Sequence, residues 1–502
     1  MPTLTPTTDR ITYGNLRAPR RPGVLGMGLA ASVLVGLAAV VVVIALMSLG
    51  IVVALVAAVA AAAGLAPLIL RGPDGRTGYG RLSARLVHRR AVKAGRTLYL
   101  AGPAGQTPDG RTRLPGLLAA TELHEGRDVY DEAFGVVLTP SIGHYSVVMQ
   151  AEASGDDLVD QHVTDTMVAH WGGWLARLGQ DPDVVAASVT VETAPDPGTK
   201  LLRMIDRHTQ PDAPTFAAAT LAEIGTRYPV ASSTITTRIA LTFDARSRPG
   251  EPKRDTAEML AYLGRRLPGF RTGLRTTGAG TTVRMMTAAD LTDAVRVAYD
   301  PSVAQLVEEQ RAQDGTGLTW AEAGPAFAHD QPEHYSHDGA HSVCWQMREA
   351  PAGIFYDHSL TSLLSPHPDI ARKRVTLIYR PESAESSRRI VERDVRDART
   401  QATARSRPQA HDQAMLRAAS KAAEEQAEGA GLVRFGVIVT ATVTDAAALP
   451  RVASTIAMLN APTKMRLRLA RYNQAATFAA GLPLGLVLPA HLALPDWLRD
   501  AL

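Results

Sequence analysis

From Gly23 to Leu70 the chain runs for 48 residues without an Asp, Glu, Lys, Arg or His, and most positions are Val, Ala, Leu or Ile. As one helix this stretch would be about 72 Å long, at roughly 1.5 Å per residue. A bilayer's hydrocarbon core is about 30 Å thick, so a single span does not use it up. Ser48-Leu49-Gly50 lies in the middle and predicts a turn. Two spans follow, Val24–Met47 and Ile51–Leu70, with one long tilted helix as the alternative. Buried helices of soluble domains rarely stay uncharged this long, and the apolar core of a cleaved signal peptide is much shorter. Gly26, Gly28, Gly36 and Gly64 are small enough for close helix contact, within the hairpin or between subunits of a homo-oligomer.

The pattern then changes twice. Tyr79 to Arg96 predicts a basic amphipathic helix, with Leu82, Leu86 and Val87 near one face and Arg81, Arg85, Arg89 and Lys93 on another. Such helices lie on membrane surfaces with their cations at the headgroups, although a solvated linker helix has the same look. Residues 98–140 hold several Gly and Pro and predict short strands and turns. From Tyr145 the chain alternates strand and helix: 145–151, then a helix carrying Val163, Met167, Trp171, Trp174 and Leu178 and ending at Gly179. Val184–Thr193 is a strand and Thr215–Tyr228 a helix. Ile235, Thr237, Ile239, Leu241 and Phe243 alternate with period two, and Asp255 with Glu258 forms a capping box before Met259, Leu263 and Leu267. Residues 301–340 look irregular.

A second series begins at Ser342–Met347 and continues with a helix near Phe355–Leu364 and a strand at Val375–Tyr379. Two charged, Ala-rich helices follow, 382–402 and 411–428, broken near Arg407-Pro408. They predict a projecting helical hairpin. Strand Leu432–Val443, helix Ala446–Leu459 and a strand through Met465, Leu467 and Leu469 complete the series. The expected architecture is α/β (α+β), with a transmembrane hairpin followed by two strand–helix sandwich subdomains. Its divisions are a cytoplasmic tail 1–22, the hairpin 23–70, a basic juxtamembrane helix 71–97, subdomains 98–300 and 342–502, a connecting segment 301–341 and the arm 382–428. The two series share one plan without a residue-level repeat.

Charge fixes the expected orientation. Four arginines face one aspartate in 1–22, and eight basic residues face Asp74 in 71–97. By the positive-inside rule both flanks, and with them both termini, lie on the cytoplasmic side. The whole chain is only +4, so residues 98–502 are net acidic and make a poor nucleic-acid surface. The basic residues, notably Arg81, Arg85, Arg89 and Lys93, are placed to meet anionic lipid. The one cysteine, Cys344, fits a reducing compartment, and its apolar strand setting points to a buried thiol rather than a nucleophile.

Candidate chemistry is sparse. No Gly-x-x-x-x-Gly-Lys-Ser/Thr loop occurs; Pro197-Gly198-Thr199-Lys200 and Gly278-Ala279-Gly280 are superficial echoes, and there is no Gly-x-Ser-x-Gly elbow. His329, His334, His337 and His341 form the single histidine cluster. Spacings of three and four could gather zinc ligands on a helix, but Gly339 and the strand pattern beyond it favour hydrogen-bonded structural histidines. No catalytic, cofactor or metal residue is assigned, and the expectation is a protein that is not an enzyme.

Near the C-terminus, Gln474-Ala475-Ala476-Thr477-Phe478-Ala479-Ala480-Gly481-Leu482-Pro483-Leu484-Gly485 resembles the segment just ahead of the nucleotide domain in conjugation ATPases of type IV secretion. The starting hairpin is similar to the small inner-membrane subunit that accompanies that ATPase. Trp171-Gly172-Gly173-Trp174-Leu175, Val191-Glu192-Thr193-Ala194-Pro195 and His367 to Val375 add a likeness to actinobacterial integral membrane proteins of conjugation-type gene clusters. Where the ATPase continues into its phosphate loop, this sequence stops at Leu502. The resemblance implies a membrane-anchored scaffold that docks a separately encoded ATPase. Gross plan alone also fits a two-span membrane component of type VII secretion.

Overall fold

The computed structural model describes residues 29–492 except 71, 73, 103–104, 106–110, 154–158, 196–204, 207–208, 211, 228–232, 247–251, 352–355 and 404–409. The expected tail 1–22, the Pro197–Lys200 echo and the Arg407-Pro408 break lie outside these residues. Two apolar helices come first, α1 (Leu29–Leu49) and α2 (Ile51–Ile69), packed on one another. Gly50 alone separates them, with φ 87° and ψ 173°, a conformation essentially reserved for glycine. That geometry closes the hairpin and removes the single long helix. Helix α3 (Gly78–Lys93) follows, capped by the Thr77 hydroxyl on the Gly80 N–H.

The rest of the fold is one antiparallel sheet with helices. Its strands are β1 (Leu98–Leu100), β2 (Glu122–Arg127), β3 (Ala133–Thr139), β4 (His144–Ala151), β5 (Val184–Pro195), β6 (Ser233–Asp244), β7 (Val283–Met285), β8 (Phe327–Asp330), β9 (Tyr335–His337), β10 (Ala340–Glu349), β11 (Arg372–Pro381), β12 (Val433–Val443) and β13 (Arg466–Leu469). Between them stand α4 (Gln161–Leu178), α5 (Thr215–Arg227), α6 (Thr256–Leu274), α7 (Ala288–Tyr299), α8 (Ala304–Arg311) and α9 (Thr361–Leu364). Then come α10 (Ala384–Thr403), α11 (Ala410–Ala427), α12 (Leu449–Asn460) and α13 (Gln474–Ala480). The order across the sheet is β1-β8-β9-β10-β12-β11-β5-β6-β4-β3-β2, with β13 also on β10 and β7 also on β4.

This order contains the same unit twice. In β4–α4–β5–β6–α6–β7 the pairings are β7·β4, β4·β6 and β6·β5; in β10–α9–β11–β12–α12–β13 they are β13·β10, β10·β12 and β12·β11. Each is a ferredoxin-like βαββαβ plan, so the shared plan expected from the pattern is a topological repeat. The arm follows β11 and precedes β12 in the second unit, as α5 follows β5 and precedes β6 in the first. The units meet edge to edge where β5 pairs β11, with Val191 opposite Val375 and Glu192 opposite Arg374. Antiparallel pairing of equivalent strands places a pseudo-two-fold axis at this seam.

Period two decides the two faces. Val147, Ile239, Leu241 and Phe243 bury against Trp174, Leu263 and Leu267 from α4 and α6, and Val375, Val439 and Ala441 against Val452 and Ile456 from α12. The opposite face carries Val148, Ala240 and Cys344 under α7, Leu118 and the segment Phe478–Leu486. Between those apolar patches lies a polar strip along the seam. The Asp255–Glu258 capping box forms as expected. Two stretches depart from the expected pattern. Residues 301–340 are not irregular, since they hold α8, β8 and β9; these elements are too short for their periodicity to stand out. Helix α7, which no sequence argument singled out, starts at a capping box of Thr287 and Asp290.

Candidate functional site

The first candidate surface is where the hairpin meets the sheet. Windows Ser32–Leu49 and Ile51–Leu68 have mean hydropathies of 2.8 and 2.5, and only 6% of either is buried. A core helix of a soluble domain would be mostly covered. These two helices expose Val, Leu and Ile almost throughout and cover little beyond Ala45 and Ala54 on either side of the Gly50 turn. They are long and apolar enough for two spans. Tyr79 at the start of α3 donates its hydroxyl to the Gly64 carbonyl at 2.9 Å, which ties α3 back to α2, and Arg81 pairs with Asp74 at 2.7 Å.

Helix α3 has two working sides. His88 is 8% exposed and rests on the Tyr472 ring, 5.3 Å between centroids. Tyr79, Leu82, Leu86 and Val87 stay exposed on the far side, among the arginines. One side therefore grips protein and the other presents an apolar strip flanked by cations. The grip continues beyond the helix, since Arg76 donates to the Arg471 carbonyl at 3.1 Å and Tyr472 N–H donates to the Pro332 carbonyl at 2.8 Å. Arg471 also pairs with Glu333 at 2.9 Å.

The contact point Arg471–Tyr472 opens the segment whose pattern resembles the conjugation ATPases, and each of its marked residues has a place. Strand β10 is flanked by β9 up to Ser342 and by β13 from Trp345, which leaves Val343 and Cys344 between them. The Gln474 amide fills that gap, accepting from Cys344 N–H at 2.8 Å and donating to its carbonyl at 3.4 Å. Phe478 is fully buried against Tyr299, Tyr335 and His337. Beyond it the chain crosses the sheet as a strap: the Thr376 hydroxyl donates to the Gly481 carbonyl at 2.9 Å, and that of Thr242 to the Gly485 carbonyl at 2.6 Å. Leu482 and Leu484 are 1% exposed. The strap thus holds both units and is reached from the anchor in a few residues. Being buried, it is not itself a docking surface.

The family model that matches this chain covers residues 20–80 and is described as a domain of unknown function, DUF8461. It spans the hairpin and the start of α3. No curated protein matches.

The histidines fall into separate settings. His337 is wholly buried; its Nδ1–H donates to the Tyr299 carbonyl, and its Nε2 accepts from the Ser342 hydroxyl at 2.8 Å. Burial pushes its pKa down to about 3, so the ring is neutral. His341 bonds the Ser336 hydroxyl at 2.9 Å, and the His334 ring stands 5.9 Å from that of His341. Among the described residues no three His, Cys, Asp or Glu groups are arranged to hold a metal ion. Cys344 is buried, and burial pushes its thiol up to about 12, far from a nucleophile's range. In the arm, α10 and α11 pack on each other through Val391, Ala398 and Ala419, and Arg434 pairs with Glu382 at its base at 2.6 Å.

Sequence reasoning missed one constellation. On the polar strip at the seam, Arg238, Arg372 and Arg374 converge on Glu192. Arg372 hydrogen-bonds Glu192, while Arg238 and Arg374 approach to 3.6 and 3.5 Å. Burial pushes the carboxyl up, but Arg372, Arg238 and Arg374 outweigh it and hold Glu192 at about 2. Glu192, Arg372 and Arg374 lie in two of the segments that carry the family likeness, but nothing local to either segment shows that they meet Arg238 across three strands.

Proposed function

We propose that this chain is a membrane-anchored, non-enzymatic scaffold of a type IV secretion-like (conjugation) apparatus, which docks a separately encoded ATPase at the cytoplasmic membrane. The observation that carries the reading is the path from anchor to strap. Two exposed apolar helices lead through α3, by way of His88–Tyr472 and Arg76–Arg471, into the strap that holds both ferredoxin-like units. Such a path fixes a large domain in position against a membrane, as a scaffold requires. The secretion assignment rests on the resemblance of Gln474–Gly485 and of the hairpin to conjugation components. Because that segment is internal, the arm Ala384–Ala427 is the docking surface in this reading. It stands on β11 and β12 and packs chiefly on itself.

In this reading the basic flanks put both termini on the cytoplasmic side and the Gly50 turn outside, as the positive-inside rule favours. The cations of α3, with Arg81, Arg85, Arg89 and Lys93 among them, then meet anionic headgroups. The test is capture of a conjugation-type ATPase from the same genome by the full-length chain in detergent, with and without residues 384–427. Loss of capture without the arm is expected. Unchanged capture would remove the arm from the mechanism, and micromolar ATP binding with turnover by the chain alone would overturn the scaffold reading.

A further inference from the structure

The arginine cluster at the seam is short of negative charge. Three guanidinium groups share the single carboxylate of Glu192, and the neutral His337 nearby adds nothing. Arg374 is 1% exposed, yet its Nε, Nη1 and Nη2 have no hydrogen-bond partner among the described residues; the Nε atoms of Arg238 and Arg372 have none either. The Phe478 ring lies over Arg374, 4.8 Å from Cζ, and covers its plane without meeting any of its N–H groups. Burial pushes the pKa values of Arg374 and Arg238 down, but arginine starts too high to lose its proton.

A buried cation that must share its only carboxylate with two others is costly, and a cation–π contact offsets only part of that cost. A structural ion network would distribute its carboxylates to match its arginines, as Arg284 and Arg311 do with Asp290 and Asp293 elsewhere in this fold. At the seam the unused donors and the excess of two positive charges both call for an acceptor from outside. Planar guanidinium forks match the oxygens of phosphate in pairs, and a phosphate group carries close to two negative charges at neutral pH. Arg238 and Arg372 retain about a tenth of their side-chain surface, so the cluster has an open lip on the strip.

We infer that Arg238, Arg372 and Arg374 form a binding site for one phosphate-type oxyanion at the pseudo-two-fold seam, between the two ferredoxin-like units and beneath Phe478. Bound there, the anion joins β6 of the first unit to β11 of the second. Glu192 limits its affinity by competing for the same donors. The site is independent of the scaffold reading and needs no hydrolysis.

The test uses the full-length chain in detergent and follows its unfolding temperature. Inorganic phosphate should raise the Tm by several degrees over chloride at equal ionic strength, saturably and with one site by calorimetry, as expected for a ligand that binds only the folded state. Short-chain phosphatidate distinguishes the source: a rise with phosphatidate alone assigns the site to a lipid headgroup, and a rise with inorganic phosphate assigns it to free phosphate. Arg374→Met should abolish the rise while leaving the chain at least as stable in chloride, because Glu192 keeps Arg372 and Arg238 and the charge removed is one of the two in excess. Glu192→Gln should tighten phosphate binding about tenfold, the effect of removing one competing charge worth about 1.4 kcal/mol. Should Arg374→Met fail to fold, Arg238→Gln at the lip carries the same expectation of a lost phosphate response. No anion-specific rise with either probe would overturn the proposal, and destabilisation by Arg374→Met in chloride beside it would leave a purely structural cluster.

Discussion

His337 ties stability to pH at a single ring. Its pKa in the folded chain is about 3, against about 6.5 when unfolded, so between those values the unfolded chain binds the extra proton. The stability it allows is therefore complete above about pH 6.5 and is lost as pH falls toward 3. Integrated to pH 5, the loss is about 2 kcal/mol. Glu192, at about 2 when folded against about 4.5 when unfolded, adds its own loss only below about pH 5 and leaves the pH 7 to 5 difference to His337. Chemical denaturation of wild type and His337→Gln at pH 7 and pH 5 checks this, since the variant should lack most of the difference. Gly485 sets a steric limit of a different kind. Its φ is +65°, and a Cβ there would stand 2.4 Å from the Thr242 hydroxyl and 2.8 Å from that of Ser146. Gly485→Ala should cost about 2 kcal/mol or more, combining left-handed strain with the lost strap bond, and a lower denaturation midpoint reads it out. The sequence marks both positions, His337 as a hydrogen-bonded histidine and Gly485 as the end of a recognisable segment, but not the partners that constrain them. The burial of His337 depends on Ser342 and Tyr299, and the need for Gly485 depends on two hydroxyls from distant strands.

At the scale of elements, α3 carries the sharpest expectation. Its exposed strip of Tyr79, Leu82, Leu86 and Val87 lies among cations, and each cation near an anionic surface contributes about 1 kcal/mol that salt screens. A truncated chain starting at Gly78 should bind anionic liposomes less as salt rises, and Arg81, Arg85, Arg89 and Lys93 changed to Glu should nearly abolish sedimentation with them. Salt-independent behaviour would leave α3 a linker that merely clips the hairpin to Tyr472. Elements were legible in proportion to how much of their pattern is local. The charge-free run gave the hairpin and its turn at Gly50, and strict alternation gave β6. Strong capping and spacing gave α4 and α6. Strands β7, β8 and β9 have only three or four residues each and are specified by neighbours far along the chain. The seam cluster was hidden for the same reason. Arg374 is buried because β5 delivers Glu192 opposite it, and no window around residue 374 contains that fact.

For the whole molecule, reporter fusions at the two termini should both read as cytoplasmic, because basic residues flank the hairpin on either side. An external signal from a fusion after Leu502 would sink the two-span arrangement. The strap carries a consequence in time as well as in space. Ribosomes deliver about 5–20 residues per second, and roughly 290 residues separate Glu192 from Gly481. The polar strip of β5 and β6 therefore waits about 15–60 s before the segment that covers it emerges. During that interval the hairpin is already available for insertion, while the first ferredoxin-like unit has an unpaired edge at β5 and an open face beside it. An inserted hairpin would tether the newly made chain in this aggregation-prone half-state, and a nascent chain stalled ahead of Gln474 is the form that chaperones and proteases would meet.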